Sequence, residues 1–164
     1  MNYKQDCHKG VYTVINKEKY AGIKNPIYKS GWERRCFDVL DRNPNVLKWG
    51  YETVEIYYYN PVQCRFTTYY PDILCQVLNG NGETKTALIE IKPAVMTVPP
   101  RSPTTPKGKT AKDGKRYMNA MKRYHESVKD FAVNAAKWEA ARKRCAHMGI
   151  QFIIMTEDNA GFLK

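Results

Sequence analysis

The chain has 164 residues, 43% of them hydrophobic, and a formal net charge of +11, enough for one domain that builds its own core without disulfides or metal. Its five cysteines, at positions 7, 36, 64, 75 and 145, are odd in number and far apart, with no CxxC or Cys/His finger spacing; this argues against structural zinc and for a reducing compartment. No apolar run approaches the ~20 residues of a membrane span and no signal-type apolar core opens the chain, so a soluble, intracellular protein with no membrane partner is expected.

Charge is uneven along the chain. Residues 1–100 carry 13 Lys/Arg against 10 Asp/Glu, whereas residues 101–164 carry 14 against 6. A basic C-terminal part suits a polyanion such as a nucleic acid; a merely solvated basic face is the plainer alternative.

Residues 1–28 are polar and rich in Lys and Tyr, and read as an N-terminal arm with at most a short strand. Cys7-His8 within it reads as an incidental pair rather than a ligand pair. A single domain is expected over 29–164. Its first firm element follows Ser30-Gly31-Trp32-Glu33, a capping box with Ser30 as N-cap and Glu33 three residues on. The helix runs to about Arg42, where Asn43-Pro44 stops it, with Trp32, Cys36, Phe37 and Leu40 as its apolar stripe. Residues 45–49 read as a connector and Glu52–Tyr59, rich in β-branched and aromatic residues, as a strand. A second strand starts at Cys64–Tyr70 and continues through Pro71, which predicts an edge position or a bulge.

Two apolar runs, 71–78 and 87–92, then flank Asn79-Gly80-Asn81-Gly82, the pattern of a β-hairpin. Residues 93–113 form a basic, Pro-rich loop holding Arg101, Lys107, Lys109 and Lys112, either a flexible insertion or a flap that contacts substrate. Lys115–Met148 is helical by period. Its length predicts a break near Ser127–Asn134, with Asn134 as a second N-cap, and Gly149 as the C-terminal stop. Ile150–Thr156 is a short buried strand able to lie parallel in the sheet. The whole is an α/β fold with an α-β-β-β-α-β core, a mixed central sheet flanked by helices.

The hairpin contains three charges that an apolar strand tolerates only with partners: Asp72, Glu90 and Lys92. Glu90 and Lys92 share a face. If residues 79–83 form the loop, 78 pairs with 84 and Asp72 lies opposite Glu90, while Ile73 meets Ile89 and Cys75 meets Ala87 on the other face. A one-residue slip scrambles both apolar sets, so the pattern favours the register that clusters the acids. Two adjacent carboxylates repel unless a cation sits between them, and hard oxygen donors suit Mg²⁺ or Mn²⁺. Lys92 is placed to position or deprotonate a water, and Glu33 to complete the cage or hold a second metal. Each residue also has a plain reading: Lys92 as a strand-end ion pair, Asp72 as a turn residue, Glu33 as a cap alone.

Pro71-Asp72 followed by Glu90-Ile91-Lys92, behind a helix bearing Glu33, resembles the PD-(D/E)xK nuclease superfamily. Ser30-Gly31-Trp32-Glu33, Trp49-Gly50-Tyr51-Glu52-Thr53, Lys137-Trp138 and Thr156-Glu157-Asp158 narrow the resemblance to the head-completion nucleases of T-even-type tailed phages and, more distantly, to the N-terminal nuclease domain of the TnsA endonuclease. The resemblance implies a restriction-endonuclease-like fold and a Mg²⁺-dependent DNA endonuclease, with Mn²⁺ able to substitute. It implies Glu33, Asp72, Glu90 and the Ile91 carbonyl as metal ligands and Lys92 as the catalytic lysine. It also implies portal or neck proteins of a phage capsid as partners, and a location in the host cytoplasm during assembly and then in the virion head. DNA contacts are expected from Arg101, Lys107, Lys109, Lys112, Lys115 and Arg116. A branched-DNA resolvase or transposition-type nuclease, and a non-catalytic virion or DNA-end-binding protein, stay open as alternatives.

Overall fold

A computed structural model describes residues 9–105 and 110–159. A four-stranded sheet of order β3-β6-β7-β8 forms the middle layer, built from β3 (Val46–Tyr51), β6 (Ile73–Leu78), β7 (Thr84–Ile91) and β8 (Gln151–Met155). The first three run antiparallel to their neighbours, and β8 returns parallel to β7. With α1 (Gly31–Arg42) before β3 and α2 (Ala111–Met148) before β8, the core order is the α-β-β-β-α-β expected from the sequence.

Helix α1 starts as its capping box dictates: Ser30 Oγ accepts the Glu33 N–H at 3.1 Å. The Glu33 carboxylate reaches back to the Lys29 N–H, one residue further than in the reciprocal box. Cys36, Phe37 and Leu40 bury one side of α1 against Trp49, Ile73, Ile89 and Met155. The other face of the sheet is covered by α2 and by a two-stranded hairpin, β4 (Ile56–Asn60) and β5 (Arg65–Tyr69). Here Ile56, Tyr58 and Tyr69 join Leu88, Ala141 and Cys145 in a second core.

Four details depart from the sequence expectations. Residues 46–49 belong to a strand rather than a connector. A bulge between Val46 and Lys48 leaves both Leu47 and Lys48 outside while Val46 and Trp49 are buried, and the period-2 signal is lost. The expected strand over 52–59 begins only at Ile56, because Glu52 adopts a left-handed conformation (φ 48°) that ends β3. The chain does not pass through Pro71 as one strand. It leaves the β4–β5 hairpin at Tyr69 and enters the central sheet at Ile73, Pro71 having no N–H with which to continue a ladder. Finally, α2 is unbroken over 38 residues, from its N-cap Thr110 to Gly149 in the left-handed conformation. Ser127 bonds back to the Arg123 carbonyl at 2.9 Å within the helix instead of interrupting it. Its apolar residues are consequently not all covered, with Met118 and Val128 exposed. Among the described residues no helix is long and apolar enough to cross a membrane.

The segment before α1 is fastened to the core. Short strands β1 (Gly10–Val11) and β2 (Ile27–Tyr28) pair antiparallel, and Tyr12 and Val14 are buried against Phe37 and Trp49. Asp41 of α1 is fully buried, yet satisfied: its carboxylate accepts the N–H groups of Ile15 (2.7 Å) and Asn16 (3.0 Å) and the Tyr12 hydroxyl (3.1 Å). Removing it strands the Ile15 and Asn16 N–H groups and leaves the Tyr12 hydroxyl only its 3.4 Å contact with Asp38, so Asp41→Ala is expected to lower the unfolding free energy by about 2–4 kcal/mol. Equilibrium urea unfolding checks this, and a loss below about 0.5 kcal/mol contradicts it.

Candidate active site

The β6–β7 hairpin has the predicted register, from Leu78↔Thr84 at the turn to Ile73↔Ile89 at the open end. One step beyond, Asp72 faces Glu90. There the ladder changes character: the Ile91 N–H donates to Asp72 Oδ2 at 2.7 Å, a side chain taking a donor at the strand's end. The Asp72 carbonyl accepts the Glu52 N–H at 3.0 Å, which fixes the Asp72 backbone on the β3 side. Glu90 is only 4% exposed and its Oε1 meets Lys92 Nζ at 2.9 Å. Since side chains alternate along a strand, Glu90 and Lys92 share the face of Leu88, the face that α2 and the β4–β5 hairpin cover.

Electrostatics at this spot are unbalanced. Burial, and then the neighbouring Glu90 charge, push the Asp72 carboxyl up to about 7, although the Ile91 N–H and Lys92 pull the other way. Burial alone lowers the Lys92 pKa, but Glu90, followed by Asp72 and Glu33, outweighs it and raises the net value above that of an ordinary lysine, so Lys92 remains an ammonium at neutral pH. One cation thus serves two acids, Glu90 buried and Asp72 half-buried. Asp72 Oδ1 and Glu90 Oε2 make no hydrogen bond among the described residues. These are hard oxygen donors beside an uncompensated charge, chemistry that fits a divalent cation of the Mg²⁺ type.

Glu33 stands at the first turn of α1, within electrostatic range of Asp72 and Lys92, with its carboxylate held by the Lys29 N–H. Among the described residues no three His, Cys, Asp or Glu side chains gather into a ready metal cluster. In a strand the N–H and C=O of one residue project to the same edge, which puts the Ile91 carbonyl on the Asp72 side. The basic candidates are dispersed. Arg101 is exposed in the loop after a 3₁₀ turn over Ala94–Met96; Lys107 and Lys109 lie outside the described residues; Lys112, Lys115 and Arg116 are exposed on the first turns of α2. Along a helix rising 1.5 Å per residue, Arg116 is about 30 Å from Lys137.

Sequence reasoning assigned no role to Lys137. It projects from α2 over the rings of Tyr69 (5.3 Å to the centroid) and Tyr58 (5.9 Å). Burial lowers its pKa, with Glu90, Lys92 and Asp72 all within range. The available signal was its place in the Asp130, Val133, Asn134, Lys137 row, one helical face at three- and four-residue steps.

A family model described as the TnsA-like endonuclease N-terminal domain matches residues 43–157. The head completion nuclease of Enterobacteria phage T4 is 34% identical over 153 residues, which span 93% of each chain. No solved structure matches significantly.

The raised Asp72 pKa has a consequence independent of any activity. Asp72 holds its proton more tightly folded than unfolded, so its contribution is fully present below about pH 4 and is lost as pH rises through about 7. Asp72→Asn escapes that loss. It is expected to be more stable than wild type at pH 8, by about 1–2 kcal/mol, with the gain gone at pH 4. Thermal melts at the two pH values read this out, and an equal or lower melting temperature for the variant at pH 8 contradicts it.

Proposed function

The chain belongs to the TnsA-like N-terminal endonuclease family, and on that premise we propose that it is a metal-dependent DNA endonuclease that hydrolyses phosphodiester bonds during phage head completion. The observation that carries this reading is the pair formed by Asp72, just before β6, and Glu90 on β7, with the Lys92 ammonium 2.9 Å from Glu90. Asp72, Glu90 and the Ile91 carbonyl would hold Mg²⁺, for which Mn²⁺ can substitute, and Glu33 would complete the cage from α1. When bound, the ion would acidify a coordinated water and stabilise charge on a phosphoryl oxygen.

The chain's own residues do the rest. Glu90 fixes the Lys92 side chain through their ion pair, and the Lys92 N–H donates to the Met155 carbonyl at 2.9 Å, so the ammonium has a defined post at the strand end. Lys92 would orient the attacking water and offset charge on the phosphoryl oxygens of the pentacoordinate transition state. Asp72, held by the Ile91 N–H, keeps one oxygen toward the site. The head completion nuclease similarity supports a nuclease role in phage head completion; as part of the same proposal, the chain would act on packaged DNA before tail attachment, in the host cytoplasm and then in the virion head, with portal or neck proteins as neighbours.

Supercoiled plasmid tests the reading. Wild type with Mg²⁺ is expected to nick it, EDTA to abolish nicking, and Asp72→Ala and Lys92→Ala each to reduce the rate by at least about 100-fold. Nicking that survives EDTA or persists in both variants contradicts the assignment.

A further inference from the structure

Beside the carboxylates lies a cleft of about 400 Å³ between α2 and the turn of the β4–β5 hairpin, with Lys92, Lys137, Asn134 and Gln63 on its walls. The cation on its wall is seated on two aromatic rings. Tyr58 and Tyr69, on the inward face of β4 and β5, pack in the second core and carry the Lys137 ammonium over their rings at 5.9 and 5.3 Å. An ammonium over two ring faces is attracted by their quadrupoles and needs no carboxylate to hold it. Lys137 accordingly forms no ion pair or hydrogen bond among the described residues, and the Asn134 amide one turn earlier makes no hydrogen bond there either. The turn opposite is rigid: Asn60 Oδ1 accepts the N–H groups of Val62 and Gln63, both at 3.0 Å. Asp130 is the single carboxylate among the lining residues, and it lies two turns away, about 10 Å along the helix axis from Lys137.

A lysine held without an anionic partner, flanked by two side-chain amides and opening beside Lys92, is a site waiting for an anion. We propose that this cleft is a phosphate-binding subsite, in which Lys137 and Asn134 take an internal phosphodiester of the DNA strand being cut, adjacent to the one positioned at Glu90 and Lys92. The inference rests on the nuclease reading for the identity of the strand, but the cleft's preference for a backbone phosphate stands on its own geometry. It also gives the β4–β5 excursion a purpose. The hairpin supplies the rings under Lys137 and the turn opposite it, and its last residue, Tyr69, stands three positions before Asp72, so one segment sets both subsite and chemistry.

The test measures binding in EDTA, separate from cleavage, using a short fluorescein-labelled DNA duplex without terminal phosphates over a range of salt. Lys137→Met, which keeps the alkyl stem over the tyrosines, is expected to weaken binding about five- to tenfold near 0.1 M salt and to reduce the slope of log K against log salt by about 0.9, one phosphate contact. Lys137→Arg should retain the wild-type slope, and Asn134→Glu should weaken binding at least as much as Lys137→Met. An unchanged slope in Lys137→Met overturns the subsite. Should that variant fail to fold by circular dichroism, unchanged affinity in Asn134→Glu overturns it equally. Wild type that binds with the Lys137-dependent slope yet cuts nothing with Mg²⁺ leaves the cleft standing and sinks the nuclease reading. Wild type that cuts while Lys137→Met keeps the full slope does the reverse.

Discussion

Two carboxylates placed opposite each other across a hairpin, with one ammonium between them and the solvent, set the terms for the rest of this molecule. Asp72 and Glu90 cannot both ionise comfortably: burial and mutual repulsion push the Asp72 carboxyl up to about 7, far from an ordinary aspartate. Lys92 relieves Glu90 directly, and the Ile91 N–H relieves Asp72, but the balance stays short by about one positive charge. A fold seeking only stability would fill these positions with apolar residues of similar size. The deficit is better understood as an affinity held for a cation.

The architecture keeps that strained pair in place from three directions. The hairpin register fixes Asp72 opposite Glu90, because a slip would turn Ile73, Cys75, Ala87 and Ile89 out of a core in which each is at most 1% exposed. From below, α1 packs Phe37 and Leu40 on that apolar face and brings Glu33 to the sheet's end. From above, α2 and the β4–β5 hairpin close over the charged face and furnish Lys137. The N-terminal segment locks α1 in turn, through the Asp41 carboxylate and its three donors. Mutations far from the chemistry, at Asp41 or Trp49, therefore act on it only through these packed layers.

What could be read in the residues themselves was the part governed by local rules. A charge in an apolar strand marks a candidate site, and period-2 alternation fixed the hairpin register to the residue. Ser30 and Glu33 marked the start of α1, and Gly149 the end of α2. What escaped was governed by tertiary context. The bulge in β3 erased its alternation, so Val46–Tyr51 looked like a connector. Pro71 marks a change of sheet, which no local pattern distinguishes from a kink within one strand. Ser127 and Asn134 look like helix breakers in isolation, yet the helix runs through both. Lys137 entered only within a resemblance motif, without a role, because its meaning lies in Tyr58 and Tyr69, some 70 to 80 positions earlier in the chain, and a cation–π platform has no spacing rule in sequence.

The unbalanced charge at Asp72 is central, and the carboxyl carbon of that residue reports it directly. In selectively ¹³C-labelled protein, assigned with Asp72→Asn, the Asp72 carboxyl is predicted to titrate near 7 without divalent cations and to fall by at least about two pH units in saturating Mg²⁺. An Asp72 that titrates near its ordinary value of about 4 in the metal-free protein, or whose titration Mg²⁺ does not move, would contradict it.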